Sequence, residues 1–112
     1  MKIINLILKA LQWIKNVVSK IIIGVLRFAT HVVNWFKNLN LDQHKDIPFI
    51  ANSNSAEFKE MLKNAPVRNV GIFQGVYDEE TDRISHCEYL AADSIDDQTR
   101  QVLGDEKLVV LN

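Results

Sequence analysis

Residues 2–38 read KIINLILKALQWIKNVVSKIIIGVLRFATHVVNWFKN, and this stretch decides the predicted fold. Polar residues recur at intervals of three or four positions, which is the period of an α-helix. On a helical wheel they occupy an arc of roughly 120° and leave an apolar arc of about 240°. The stretch contains no proline, and Gly24 is its one glycine. The sequence therefore predicts a single amphipathic helix over residues 1–39.

The charge of the chain divides near residue 40. Residues 1–39 contain six Lys or Arg residues and no Asp or Glu. Residues 40–112 contain seven Lys or Arg residues and fourteen Asp or Glu residues, which gives a net charge of −7. A basic amphipathic helix is typical of segments that lie on an anionic membrane or in a groove of another protein.

We expect the predicted helix to bind the cytoplasmic face of an anionic lipid membrane. Its basic side chains would contact lipid phosphates, and its two Trp residues would lie at the interface. A membrane span by a single copy is disfavoured, because Lys20 and Arg27 interrupt the most apolar window. The predicted membrane-binding residues are Lys2, Lys9, Trp13, Lys15, Lys20, Arg27, Trp35 and Lys37.

The width of the apolar arc also allows self-assembly. A helix of about 37 residues would be roughly 55 Å long, which is too long for a small domain to cover. Its apolar face must then meet lipid, other copies of the chain or another protein. The alternative is therefore a self-assembling structural protein, such as a helix-bundle oligomer, a pore or a virion component. Nucleic acid is a disfavoured partner, because the cations are spaced singly along a narrow stripe.

Residues 40–45 are a polar linker, and residues 46–112 predict a small acidic α+β domain. Ser94 is expected to cap its second helix, and Gly104 to end that helix. The predicted order is β-α-β-β-α-β in two layers, as in ferredoxin-like folds, although other two-layer α+β folds fit strands of this length. The strands are predicted at 47–51, 67–77, 83–91 and 107–111, and the first helix at 54–64.

No combination of residues in the sequence predicts catalysis. Cys87 is the single cysteine, and in a strand its side chain faces away from His86 and Glu88. The acidic turn at residues 78–82 lacks the Gly and the distal Glu of an EF-hand, and the Cys and His residues lack zinc-site spacing. We therefore expect a non-enzymatic adaptor or structural protein without metal or cofactor, which presents its acidic domain to solvent.

Overall fold

The computed structural model describes residues 2–14, 17–52, 62 and 68–111. These residues form an α+β protein with one five-stranded mixed sheet and short helices. The strands are β1 (Val18–Leu26), β2 (Asp46–Asn52), β3 (Val70–Asp78), β4 (Arg83–Ile95) and β5 (Leu108–Val110). The helical elements are α1 (Lys2–Leu11), a π-helical segment (Phe28–Val33), α2 (Asn34–Lys37) and α3 (Asp97–Leu103).

The predicted continuous helix over residues 1–39 is wrong. Helix α1 has ten residues, and the chain later continues as strand β1 before it becomes helical again at Phe28. Strand β1 is rich in Val and Ile, whose branched Cβ atoms favour a strand over a helix. A stretch that is apolar on most sides fits a strand as well as a helix. The apolar arc is wide because α1 and the π-helical segment bury side chains in different cores, and because β1 exposes apolar side chains of its own.

The order of strands across the sheet is β1-β4-β3-β2-β5. Strand β1 is parallel to β4, and the other neighbouring strands are antiparallel. The predicted β-α-β-β-α-β order is therefore wrong, because the first strand of the sheet comes from the basic N-terminal segment. The four strands predicted after residue 45 lie near their predicted positions, although β4 extends to Ile95. Of the helix predicted at residues 54–64, only Leu62 lies within the described residues.

Hydrophobic side chains cover both faces of the sheet. Along β2, Phe49 and Ala51 face one core, whereas Ile50 between them faces the other, as the alternation of side chains along a strand requires. The first core lies under α1 and includes Ile7, Leu11, Phe49, Phe73, Tyr77 and Leu108. The second lies under the π-helical segment and α3 and includes Leu26, Phe28, Val32, Ile50, Ile72 and Leu103.

Gly75 allows β3 to lie close to its neighbours. A Cβ atom at this position would meet the His86 carbonyl oxygen and the Phe49 ring, each at 2.8 Å. Because a methyl group can fit only if the strand or the aromatic ring moves, Phe49 and β4 together require glycine here.

We expect Gly75→Ala to lower the free energy of unfolding by about 1–3 kcal/mol, because the added methyl overpacks the sheet. Chemical denaturation measures this difference. Ser85→Ala, at an exposed position of the adjacent strand, is the control and should change stability by less than about 0.5 kcal/mol. Equal stability of the two variants would contradict the close contact.

Candidate interaction surface

The predicted membrane-binding residues near the N-terminus belong to α1 and the turn after it. Lys9 is exposed on α1, and Trp13 follows the helix with 79% of its surface exposed. Lys2 is the first residue of α1, and its side chain is outside the described part of the structure, as is the whole of Lys15. Lys9 and Trp13 lie on the side of the sheet that α1 covers.

The remaining predicted residues lie elsewhere. Lys20 is on β1, and Arg27 directly follows that strand. Trp35 and Lys37 are on α2, which continues the helical segment over the opposite face of the sheet. A helical wheel places these residues together, whereas the described ones lie on two faces and one edge of the sheet. Their role in membrane binding stays a prediction.

The large apolar side chains that the described residues expose are concentrated in the N-terminal segment. Four of them are on β1, where Ile23 is 86% exposed and Val18 is 68% exposed. The complete set is Leu6, Trp13, Val18, Ile21, Ile23 and Val25. Since the rest of the sheet has its apolar side chains in the two cores, β1 is the strand that presents an unburied apolar surface.

The position of β1 in the sheet explains this exposure. One side of β1 pairs with β4, and the strand order places no strand of the described residues on its other side. Val18–Ile22 pairs regularly with residues 88–92 of β4, and a bulge follows between Ile22 and Val25. We call the unpaired side of Val18–Leu26 the β1 edge. An unpaired edge presents backbone N–H and C=O groups that can bond to a further strand.

The other edge of the sheet is much shorter. Strand β5 has three residues, which pair with Phe49–Ala51 of β2. One backbone hydrogen bond flanks this pairing on each side, from the Leu111 N–H to the Pro48 carbonyl and from the Asn52 N–H to the Lys107 carbonyl. Short edge strands are one way in which proteins prevent unwanted strand pairing. Strand β1 has nine residues, so the two edges differ in the length of backbone that they offer to a partner.

Asp93 on β4 fixes the bulge in β1. The Gly24 N–H donates a hydrogen bond of 2.8 Å to Asp93 Oδ2, and Arg68 Nη1 lies 3.1 Å from Asp93 Oδ1. Gly24 has a φ of +98°, a backbone conformation that glycine adopts without strain. The carboxylate thereby satisfies a backbone donor that the irregular register removes from the strand ladder.

Asp96 joins the end of β1 to the start of α3. Its N–H donates to the Leu26 carbonyl at 2.9 Å, and its Oδ2 accepts from the Phe28 N–H at 3.1 Å. Its Oδ1 accepts from the Thr99 N–H at 2.9 Å and from the Thr99 hydroxyl at 2.5 Å. The cap of α3 is therefore Asp96, and the prediction of Ser94 is wrong. These bonds, those from Thr99 most strongly, lower the pKa of the Asp96 carboxyl.

Lys20 gives the β1 edge its charge. It is the one charged residue of β1, and its side chain is exposed. Within the described residues, the ammonium group of its side chain has no hydrogen bond or ion pair. The carboxylates at the other end of β1 have other cations beside them, since Asp93 pairs with Arg68. Asp96, whose pKa is lowered most by its hydrogen bonds, lies close enough to Arg27 for that cation to lower the pKa further. A partner therefore meets an uncompensated positive charge on this edge.

Trp13 borders a groove of about 460 Å³ between the end of α1 and the β3–β4 hairpin. The hairpin wall, at residues 81–84, includes Asp82, whose carboxylate accepts a 2.7 Å hydrogen bond from the Tyr77 hydroxyl. Burial, with a smaller contribution from this bond, raises the pKa of Tyr77 to about 12. Asp82 of the acidic turn thus has a structural role, and Arg83 beside it places a positive charge in the same groove wall.

Cys87 points into the first core, among apolar side chains. Burial raises the pKa of its thiol, which keeps the sulfur protonated and a poor nucleophile. Next to Cys87 in the sequence, His86 Nδ1 lies 3.1 Å from the Ser85 hydroxyl, and both of these residues are exposed. In the described part of the chain, no three His, Cys, Asp or Glu residues are arranged to hold a metal ion.

No family model matches this chain, and neither the curated proteins nor the solved structures gave a match. Among the described residues, no helix has the length and apolar character needed to cross a membrane.

The helical interpretation of the sequence missed Val18, Ile21, Ile23 and Val25 as surface residues, because it treated them as part of one long apolar arc. The available signal was the density of β-branched residues between Val17 and Val25, which favours a strand. That signal could have located the strand. It could not have placed the strand at an edge, because this position depends on β4, about seventy residues further along the chain.

We expect Asp96→Ala to lower the free energy of unfolding by about 1–2 kcal/mol, because it removes the helix cap and the acceptor of the Phe28 N–H. Asp97→Ala is the matched control. Its side chain is 91% exposed and pairs only with Arg100 in the described residues, so its loss should cost less than about 0.5 kcal/mol.

The wild-type protein and Asp96→Ala also give a test of pH dependence. The pKa of Asp96 is lower in the folded protein, so its stabilising effect is present above the unfolded pKa of about 3.9 and is lost as the pH falls through the folded value. The difference in stability between wild type and Asp96→Ala should be constant from about pH 5 to 7 and shrink below about pH 4. A difference that grows in acid would contradict this assignment.

Proposed function

We propose that this chain is a non-enzymatic protein-interaction module that binds an extended segment of a partner protein along the β1 edge. The observation that carries the proposal is the nine-residue edge strand with four exposed large apolar side chains. Addition of a strand to an exposed sheet edge is a known mode of peptide recognition, in which backbone hydrogen bonds supply affinity and side chains supply selectivity.

Backbone chemistry favours a protein partner over a lipid partner at this edge. The unpaired N–H and C=O groups of β1 lose their bonds to water if the edge enters the hydrocarbon region of a bilayer, and lipid chains offer no replacement. An added strand satisfies the same groups and covers the apolar side chains in one step. Burial of an Ile side chain contributes about 1.5–3 kcal/mol, so Ile21 and Ile23, which are exposed on the same face of β1, are expected to be the main hydrophobic contacts.

Membrane docking, as the sequence predicts it, is the competing function. The exposed indole of Trp13 favours an interface with lipid. The groove beside Trp13, however, is lined by both Asp82 and Arg83, and these opposite charges give no net attraction for anionic headgroups. The cations that would attract the membrane are divided between α1, β1 and α2. A strand partner therefore explains more of the exposed apolar surface than a membrane does.

Selection from a phage-displayed library of random nine-residue peptides tests the proposal. The selected peptides, added to the ¹⁵N-labelled full chain, should shift the amide resonances of Val18–Leu26. Ile23→Lys should weaken their binding by at least about tenfold, which corresponds to about 1.4 kcal/mol. The variant should fold normally, because Ile23 is 86% exposed. Trp13→Ser is the control and should leave peptide binding unchanged.

Vesicles of phosphatidylserine and phosphatidylcholine form the second arm of the experiment. Under the proposal, the wild-type protein does not float with them. The proposal is overturned if the selected peptides contact residues away from β1, or if no peptide is selected while the vesicles bind and Trp13→Ser abolishes that binding.

A further inference from the structure

The charge on the β1 edge indicates what kind of segment it binds. We infer that the partner segment is acidic, with apolar residues alternating with carboxylates and one carboxylate facing Lys20. This inference rests on the proposed function, since it names the chemistry of the strand that the same edge receives.

Lys20 occupies the middle of the regular part of β1. It lies at the centre of Val18–Ile22 and pairs with Leu90 on β4. On an added strand, the residue directly opposite would have its Cβ about 4.5–5.5 Å from that of Lys20. A Glu or Asp at that position forms an ion pair across the strands, whereas a Lys or Arg repels. Because side chains alternate along a strand, an alternating partner segment places its carboxylates on the face of Lys20 and its apolar side chains on the face of Ile21 and Ile23.

The surroundings of Lys20 do not already satisfy its charge. Glu88, which pairs with Val18 in register, accepts a hydrogen bond from Gln74 at 3.1 Å. Asp93 is engaged by Gly24 and Arg68. Arg27 adds a second exposed cation directly after β1. Because residues 1–39 contain no Asp or Glu, the N-terminal segment brings no acidic residue to this edge.

A second copy of the chain fits the edge less well. The antiparallel register that pairs all of Val18–Ile22 between two copies places Lys20 opposite Lys20. Two-fold registers centred after Lys20 bring the bulge at Ile23 and Gly24 into the pairing, and a register centred on Ser19 pairs no more of β1 than Val18–Lys20 with itself. A lysine in an edge strand is a recognised device against self-pairing, and the same lysine selects for a carboxylate on a foreign strand.

A charge exchange between the protein and synthetic peptides tests the inference. The probes are two capped, fluorescently labelled peptides, one of four Val-Glu repeats and one of four Val-Lys repeats, measured by fluorescence anisotropy in 50 mM salt. Wild-type protein should bind the Val-Glu peptide at least tenfold more tightly than the Val-Lys peptide. The full chain carrying Lys20→Glu should reverse this order. Lys37→Glu makes the same charge change on α2 and should preserve the wild-type preference.

Each other result has a defined meaning. If Ile23→Lys weakens the binding of both peptides but neither is preferred, the acidic partner is wrong and strand binding at β1 stands. If neither these peptides nor the display-selected peptides bind at β1, the proposed function itself fails. If the wild type sediments as a dimer that Ile23→Lys dissociates, the occupant is a second copy and the inference is overturned. A preference that persists unchanged in 500 mM salt also overturns it, since an exposed ion pair is screened at that concentration.

Discussion

The parallel pairing of β1 with β4 is the interaction on which the arrangement of the N-terminal segment depends. It connects Val18–Ile22 to the middle of β4 and resumes at Leu26 after the bulge. Two carboxylates from the acidic part of the chain complete it, with Asp93 bound to the Gly24 N–H and Asp96 bound to the Phe28 N–H. The basic and acidic parts of the sequence are thereby joined through specific hydrogen bonds to backbone groups.

This pairing determines which surfaces remain accessible. With β1 fixed, α1 covers one face of the sheet, and the π-helical segment covers the other. The apolar residues of the N-terminal segment then separate into a buried set, which includes Leu11, Leu26 and Val32, and an exposed set on β1. The same apolar sequence pattern therefore supplies both buried and exposed residues, because the elements that it forms have different neighbours.

The sequence was informative where local chemistry decides the structure. Turn residues, helix caps and alternation located β2, β3, the acidic turn and the Gly104 end of α3. Local sequence could not exclude the single long helix, because Lys9, Lys20 and His31 are spaced as on one face of a helix. Part of this segment nevertheless forms strand β1 in the sheet. The pairing of β1 with β4, which is distant in the sequence, excludes a continuous helix. The cap of α3 was displaced from Ser94 to Asp96 for a related reason, since Asp96 also binds the distant Phe28 N–H.

The separation of β1 from β4 along the chain affects folding during synthesis. The Gly24–Asp93 bond joins residues 69 positions apart, so β4 must leave the ribosome before β1 finds its neighbour. Until then, the run of Val and Ile in β1 is available to other nascent chains, and contacts of such long range form slowly. The arrival of β4 therefore determines whether β1 enters the sheet or an aggregate, which makes chaperone protection of residues 18–26 most valuable before β4 emerges.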